Sequence, residues 1–208
     1  TTVSCNTAVE SCGAFSKVVR TRIGSPYVIE GIEQLIGAGG IKNVVGFEPN
    51  GGFLVGSDIE KNGRKLDALM TRDAVLPILC LLSMAREGGT KVSELLNHMP
   101  ARFTASDRLQ NFPTETSRAL LHKLSASPDS IEKLLEGLCG KPRGLDRTDG
   151  LRISLEGDEI VHFRPSGNAP ELRCYAEAKT QQRADALVRA CLQRLKQGLD
   201  VQAPGPTL

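Results

Sequence analysis

The sequence predicts two consecutive mixed domains, a layered α/β domain over residues 1–99 and an α+β domain over residues 100–199. In the first half, helical and strand patterns alternate along the chain, which is typical of α/β layers. In the second half, strand patterns follow one another between helices, which indicates a mostly antiparallel sheet with helices on one face. A chain of 208 residues is long enough for two small cores. Residues 200–208, rich in Pro and Gly, are predicted to be a disordered tail.

Two helices and several short strands account for most of the first half. An amphipathic helix is predicted over residues 27–36. Thr71 is predicted to cap a second helix over residues 72–87, which should end at Gly88-Gly89. That helix should bury one stripe, formed by Val75, Leu76, Leu79 and Leu82. The chain begins inside a strand pattern, which suggests a truncated start. The other predicted elements are a strand end at 3–5, a helix at 7–15, strands at 17–22, 44–48 and 53–57, and a turn at Asn62-Gly63.

The second half begins after Met99-Pro100 and carries its strongest pattern in the last helix. That helix is predicted over residues 181–197 and should end at Gly198. Its predicted buried face comprises Ala184, Leu187, Val188, Cys191, Leu192 and Leu195. Ser127 and Pro128 are a favourable start for a helix over residues 128–138. The remaining predicted elements are a helix at 115–125 and strands at 101–105, 151–155, 160–163 and 172–178, with turns at Asp149-Gly150 and Gly157-Asp158.

Composition argues against several classes of partner. The 26 basic and 24 acidic residues are interleaved along the chain, so no broad field favours nucleic acid or a membrane surface. Aromatic residues make up 4% of the chain and no apolar run reaches membrane-spanning length. The six cysteines are scattered without a Cys-x-x-Cys pair, which predicts free thiols and a reducing cytoplasm. Cys80 and Cys191 are predicted to be small hydrophobes on apolar helical faces.

Residues 164–173, with the sequence RPSGNAPELR, predict an anion site. Gly167 permits a positive φ, which would turn the N–H groups of Ser166, Gly167 and Asn168 toward one point as a nest. Arg164 and Arg173 flank the loop, and each guanidinium can contact phosphate oxygens in a bidentate fork. The alternative is a plain hairpin turn with two solvated arginines. A nucleotide P-loop is not predicted, because no Gly-Lys-Ser/Thr ending and no following helix are present.

Two motifs resemble one enzyme family. The stretch FRPSGNAPELRCYAEA over residues 163–178 resembles the phosphate-binding loop of the α-D-phosphohexomutases. The stretch GFEPNGGF over residues 46–53 is similar to the sugar-recognition loop of that family, which usually reads Gly-Glu-x-Ser-Gly-His. The two loops stand in the order of the family. Within the family, the sequence of the phosphate loop resembles that of phosphomannomutases more than that of phosphoglucosamine mutases.

The resemblance assigns roles to individual residues. Glu48 matches the glutamate that accepts hydrogen bonds from sugar hydroxyls, against the alternative of a solvated acid on a turn. Asn50 replaces the usual serine, Gly51 keeps its place, and Gly52 replaces the usual histidine. Ser25 lies in a further loop that the resemblance places at the substrate. The phosphate-binding residues implied are Arg164, Ser166, Gly167, Asn168 and Arg173. His162 lies two residues before Arg164 and is predicted to be structural.

The resemblance also implies where the chemistry takes place. The family has four domains, of which this chain would hold most of the third and all of the fourth. The first two would supply a phosphoserine and the Mg²⁺ ligands, and would be missing partners of this chain. This chain would bind the hexose phosphate but would contain no catalytic and no metal-binding residue. Two local decoys do not match the family: Ser106 lacks a following histidine, and Asp146 and Asp149 do not form the metal loop.

Two other functions remain open from the sequence. One is a free-standing phosphosugar-binding or regulatory module. The other is a nucleotide-binding domain that uses the glycine-rich residues 37–40, although this segment follows a helix, whereas a dinucleotide fingerprint follows a strand and opens a helix. A phosphoglucosamine mutase is the alternative within the family.

Overall fold

A computed structural model describes residues 1–200, and side chains up to residue 198. The chain divides into two compact units, Thr1–Pro100 and Ala101–Leu208. Both units mix helices with antiparallel sheets, so the predicted fold class is confirmed. The predicted tail lies outside the described residues, apart from Asp200, at which the last helix ends.

The first unit is built on a small antiparallel sheet and a long amphipathic helix. The sheet has three strands in the order β1-β2-β5, and β3 and β4 form a separate hairpin. Asn62 and Gly63 turn that hairpin with φ values of 52° and 69°, as their sequence predicts. The strands are β1 Val45–Phe47, β2 Phe53–Val55, β3 Ile59–Lys61, β4 Arg64–Leu66 and β5 Leu69–Asp73. The helices are α1 Ala8–Ser11, α2 Ser25–Gly37 and α3 Val75–Gly88, with a 3-10 helix at Val92–His98.

Helix α2 packs directly on the sheet. Val28 and Ile32 are buried on one face of the helix and form a small core with Val44 and Leu54. Gly46 makes this close approach possible, because a Cβ there would lie 2.6 Å from Cγ1 of Val28. The close contact between helix and sheet positions the start of α2 beside the end of β1.

The predicted strands at 3–5 and 17–22 do not form. Within residues 1–200 this region has one isolated parallel bridge, between Thr2 and Thr21. The pairing stops there because the chain turns at once: the N–H of Cys5 donates to the carbonyl oxygen of Thr2 at 3.1 Å, and Nη1 of Arg20 donates to the carbonyl oxygen of Cys5 at 2.7 Å. The predicted helix at 7–15 shortens to α1 because Gly13 adopts a φ of 69°.

Helix α3 starts later than predicted and keeps its apolar stripe exposed. Thr71 lies in β5, and the side chain of Asp73 accepts from the N–H groups of Val75 and Leu76 at 2.7 and 3.2 Å, so Asp73 supplies the cap. The predicted end at Gly88-Gly89 is confirmed by a left-handed Gly89. The stripe and Cys80 are not buried as predicted, because the described residues do not cover this face; Val75, Leu79 and Leu82 are 61, 57 and 53% exposed.

The second unit is a five-stranded antiparallel sheet with its core on the helical side. The strand order is β6-β10-β9-β8-β7. The strands are β6 Phe103–Leu109, β7 Pro142–Asp146, β8 Leu151–Leu155, β9 Ile160–Pro165 and β10 Leu172–Ala178. The helices are α4 Thr114–Ala126, α5 Pro128–Leu135 and α6 Gln181–Asp200, and a short 3-10 turn spans Glu156–Asp158. The helices pack against alternate residues of the strands in one hydrophobic cluster.

The predicted face of α6 is confirmed, since the six residues predicted to form it are all buried. Ser127 caps α5 as predicted, with its hydroxyl accepting from the N–H of Ser130. Helix α5 ends before residue 138, because Gly137 takes a positive φ, whereas α6 continues through Gly198. Strand β7 was not predicted, because Pro142 and Gly144 both weaken a strand pattern.

Candidate functional site

A tight loop joins β1 to β2 and holds the predicted sugar-recognition residues. The N–H of Glu48 donates to the carbonyl oxygen of Gly52 at 2.9 Å, and the N–H of Gly51 donates to the carbonyl oxygen of Glu48 at 3.0 Å. Gly51 has a φ of 88°, which a side chain would disfavour. Gly51 therefore shapes the turn, while Glu48 and Asn50 contribute side chains.

Glu48 is a buried carboxylate. It is 5% exposed, so the alternative of a solvated acid on a turn is wrong. The hydroxyl of Ser25 donates to Oε1 of Glu48 at 2.8 Å, and Nε of Arg72 lies 3.7 Å from the same oxygen. Both contacts fall on Oε1. Within residues 1–200, Oε2 is left to accept a hydrogen bond from a ligand hydroxyl.

Asn50 is fixed by two donors. Its Oδ1 accepts from the N–H of Gly52 at 3.0 Å and from Nη2 of Arg72 at 2.9 Å. This arrangement leaves the amide NH₂ group as the hydrogen-bonding group that Asn50 offers to a ligand. Arg72 therefore belongs to the site, although the sequence did not indicate it, because residues 72–87 were assigned to a helix.

The second unit places three arginines in one row across neighbouring strands. Arg173 on β10 lies opposite Arg164 on β9 and opposite Arg108 on β6. Residues directly opposite one another in antiparallel strands share a face, with Cβ atoms about 5 Å apart. We call these three residues the arginine row. Arg108 was missed because the predicted strand stopped at residue 105, and its pairing partner is distant in sequence.

Two carboxylates hold the arginine row in place. Nε of Arg164 lies 2.9 Å from Oδ2 of Asp149. Glu171 is shared, with its oxygens 3.1 Å from Nε of Arg108 and 3.5 Å from Nη2 of Arg173. Nε of Arg173 is buried without a hydrogen-bond partner among the described residues. Three guanidinium groups thus share two carboxylates, an excess of positive charge that suits an anion.

The predicted backbone nest is wrong in its geometry. Gly167 does not adopt a positive φ. The N–H of Ser166 donates to the carbonyl oxygen of Glu171 at 2.8 Å, and the N–H of Asn168 lies 3.4 Å from the Ser166 hydroxyl. These hydrogen bonds close the loop on itself, and Ser166 is buried, at 3% exposure. The candidate anion site therefore consists of arginine side chains and not of backbone N–H groups.

His162 is a structural residue below the arginine row. It is 2% exposed, stacks on Tyr175 with ring centroids 5.5 Å apart, and its Nε2 lies 2.6 Å from the carbonyl oxygen of Asp149. Burial lowers the pKa of His162 below its usual value of 6.5, against the opposing effect of the Asp149 contact. The ring is neutral at pH 7.

The neutral ring makes stability depend on pH. As pH falls below about 6.5, the unfolded chain binds a proton at this histidine before the folded chain does, so the free energy of unfolding should fall. The slope from His162 is at most about 1.4 kcal/mol per pH unit. Urea unfolding between pH 5 and 8 tests this. His162→Gln should flatten the slope, while His122→Gln, at an exposed histidine, should not. Equal slopes in wild type and His162→Gln would contradict the assignment.

The described residues show neither a metal site nor a nucleotide-binding loop. Within residues 1–200 no group of three or more His, Cys, Asp or Glu side chains could hold a metal ion. Oδ1 of Asp146 accepts from the N–H of Thr148 at 2.8 Å, as in a turn. Residues 37–40 form the C-terminal end of α2 and the turn after it and open no helix, so the nucleotide alternative is wrong in its geometry. No helix in the described part is long and apolar enough to cross a membrane.

Comparison with known proteins decides the family. Residues 1–103 match the family model described as "Phosphoglucomutase/phosphomannomutase, alpha/beta/alpha domain III". Residues 111–193 match the model described as "Phosphoglucomutase/phosphomannomutase, C-terminal domain". The chain belongs to the phosphoglucomutase/phosphomannomutase family. The predicted resemblance to a phosphohexomutase, over its third and fourth domains, is confirmed.

Individual relatives agree with the family assignment. A phosphomannomutase of Salmonella muenchen is 43% identical over 95% of this chain, and one of Sinorhizobium fredii is 43% identical over 90%. The chain spans about 40% of the length of these relatives. Relatives described as phosphoglucosamine mutases are 26–29% identical. A solved family protein from Burkholderia thailandensis shares the fold, with a TM-score of 0.57 at 19% identity, covering 91% of this chain and 34% of that one.

Proposed function

We propose that this chain recognises a hexose phosphate on behalf of a phosphomannomutase. The loop at Glu48 would read the sugar hydroxyls, and the arginine row would hold the phosphate that does not react. The arginine row carries the proposal, because three arginines aligned on one sheet face, sharing two carboxylates, have an excess of positive charge suited to a phosphate dianion. The 43% identity to phosphomannomutases supports the choice of mannose phosphates over glucosamine phosphates.

The two sites contribute binding energy away from the reacting bond. Holding the unreactive phosphate and the hydroxyls orients the sugar, so that the reacting oxygen meets the phosphoryl donor in line. Interconversion of hexose 1- and 6-phosphates through a phosphoserine and a bisphosphorylated sugar would take place on other polypeptide. The Mg²⁺ ligands would lie there too, since the described residues do not fit a metal.

The assignment of the chemistry can be tested directly. The purified 208-residue chain should not interconvert mannose 1-phosphate and mannose 6-phosphate, as followed by ³¹P NMR over hours. A free-standing phosphosugar-binding module would give the same result. A second measurement separates this module from an enzyme fragment: adding a phosphorylated fragment that holds the first two domains of a family member should restore turnover only if the chain is part of the enzyme. Turnover by the chain alone would overturn the assignment.

Glu48 should carry recognition of the sugar and not of the phosphate. Glu48→Gln keeps the shape of the side chain and removes its charge, so a charge-assisted bond to a sugar hydroxyl is lost. The Kd for mannose 6-phosphate should rise about tenfold, or about 1.4 kcal/mol, while the Kd for inorganic phosphate should stay the same. Calorimetric titration measures both.

Glu60→Gln is the matched control, because it removes a carboxylate from an exposed position on β3. It should leave both Kd values unchanged. If Glu48→Gln weakens inorganic phosphate as strongly as mannose 6-phosphate, Glu48 does not read the sugar. If the wild-type chain binds mannose 6-phosphate no better than free mannose, the proposed function fails.

A further inference from the structure

Arg72 contacts both hydrogen-bonding side chains of the sugar loop. Its Nη2 donates to Oδ1 of Asn50 at 2.9 Å, and its Nε lies 3.7 Å from Oε1 of Glu48. The Arg72 side chain is 49% exposed, whereas the Glu48 side chain is 4% exposed. A half-exposed cation is thereby held beside a buried carboxylate.

Gly52 provides the space for this guanidinium. A Cβ at residue 52 would lie 2.5 Å from Nε and 3.0 Å from Nη2 of Arg72. Any larger residue at this position would therefore displace the guanidinium. Gly52 has no positive φ, so its backbone does not require glycine. Contact with Arg72 is the reason that the structure gives for glycine here.

The charge of Arg72 changes what Glu48 attracts. A lone buried carboxylate attracts an ammonium group as well as a hydroxyl donor. A guanidinium within 4 Å of that carboxylate cancels the attraction and repels a second cation nearby. A hydroxyl, being neutral, keeps its hydrogen bond to the carboxylate.

We propose that Arg72, seated against Gly52, is a specificity-determining residue that favours neutral hexose phosphates over 2-amino-hexose phosphates. The inference rests on the proposed function, because it assumes that the loop binds the sugar. In this view, Arg72 disfavours ligands that carry a positive charge near the sugar loop. The repulsion acts through space within about 8 Å at physiological salt, so no direct contact with the amino group is needed.

Glucose 6-phosphate and glucosamine 6-phosphate are a matched pair of probes, because they differ only in a hydroxyl or an ammonium group at carbon 2. The wild-type chain should bind glucose 6-phosphate more tightly. Arg72→Gln should reduce that preference about five- to tenfold, as measured by competition NMR titration at low salt. Gly52→Ala should reduce it similarly, because it displaces the guanidinium without changing the charge of the chain.

Two controls separate charge from structure. Arg64→Gln removes an exposed arginine from β4 and should keep the wild-type preference. Raising the salt concentration to 1 M should shrink the wild-type preference, which a purely steric role of Arg72 would not do. If wild type binds both sugars and both variants keep its preference, the inference is overturned while the proposed function stands. If wild type binds neither sugar phosphate, the proposed function and this inference both fail.

Discussion

Replacing Arg164 by alanine should weaken binding of mannose 6-phosphate 10- to 100-fold. A guanidinium–phosphate contact contributes about 1.5–3 kcal/mol. Arg164 is also the arginine whose Nε lies 2.9 Å from Oδ2 of Asp149, so the variant changes the local charge by the full guanidinium. Inorganic phosphate should lose affinity to the same degree, in contrast to the effect of Glu48→Gln. Calorimetric titration of the 208-residue chain with both ligands measures the effect.

Two further variants show which property of Arg164 is responsible for the loss of affinity. Arg164→Lys keeps the charge and removes the planar fork, so it should recover only part of the affinity. The double variant Arg164→Ala/Asp149→Ala removes the carboxylate as well, and any affinity that it regains measures the repulsion from Asp149. An Arg164→Ala chain that binds phosphate as tightly as wild type would refute the role of the arginine row.

Replacing Gly150 by alanine should destabilise the second unit by about 2–4 kcal/mol. Gly150 has a φ of 86°, and a Cβ there would overlap the carbonyl oxygen of Phe163 and lie 3.0 Å from Cα of Arg164. Backbone atoms cannot swing aside as a flexible side chain can, so the turn and β9 would have to move apart. Urea unfolding followed by circular dichroism measures the loss.

Gly144 on β7 is the matched control for Gly150. It has no positive φ, and a Cβ there would meet nothing within 4 Å. Gly144→Ala should therefore change the free energy of unfolding by no more than about 1 kcal/mol. Equal losses at the two glycines would mean that the overlap at Gly150 relaxes without cost. Because Arg164 adjoins the overlap, a folded Gly150→Ala chain should also bind phosphate more weakly.

The site residues that could be predicted from the sequence belong to short local motifs. Glu48 and Asn50 lie in one short loop, and Ser25 at the start of α2 contacts Glu48, as the resemblance to the family implies. Arg72 and Arg108 were missed because their roles depend on strand ends that pair with distant residues. The arginine row joins β6 to β10, which are more than sixty positions apart, and a local pattern carries no information about such pairing.

The fold was predictable where periodicity extends over many residues. Strands β8 and β10 match their predicted bounds, and α6 matches its predicted start and buried face, because these segments show a regular spacing of buried residues. The exposed stripe of α3 shows the limit of the same argument, since an apolar pattern predicts burial only when another element covers it. The conformation of Gly167 was also unpredictable, because glycine permits a positive φ without requiring it.

The sharing of Glu171 between two arginines has a consequence for the stability of the second unit. Arg108 and Arg173 repel each other, and one shared carboxylate offsets this repulsion only in part, so the second unit should be less stable without an anion than with one. Neutralising one of these cations should lower the repulsion within the sheet and, under the proposed function, should also lower the affinity for phosphate. A bound anion should therefore stabilise the sheet, and the melting temperature of the second unit should rise with the concentration of that anion.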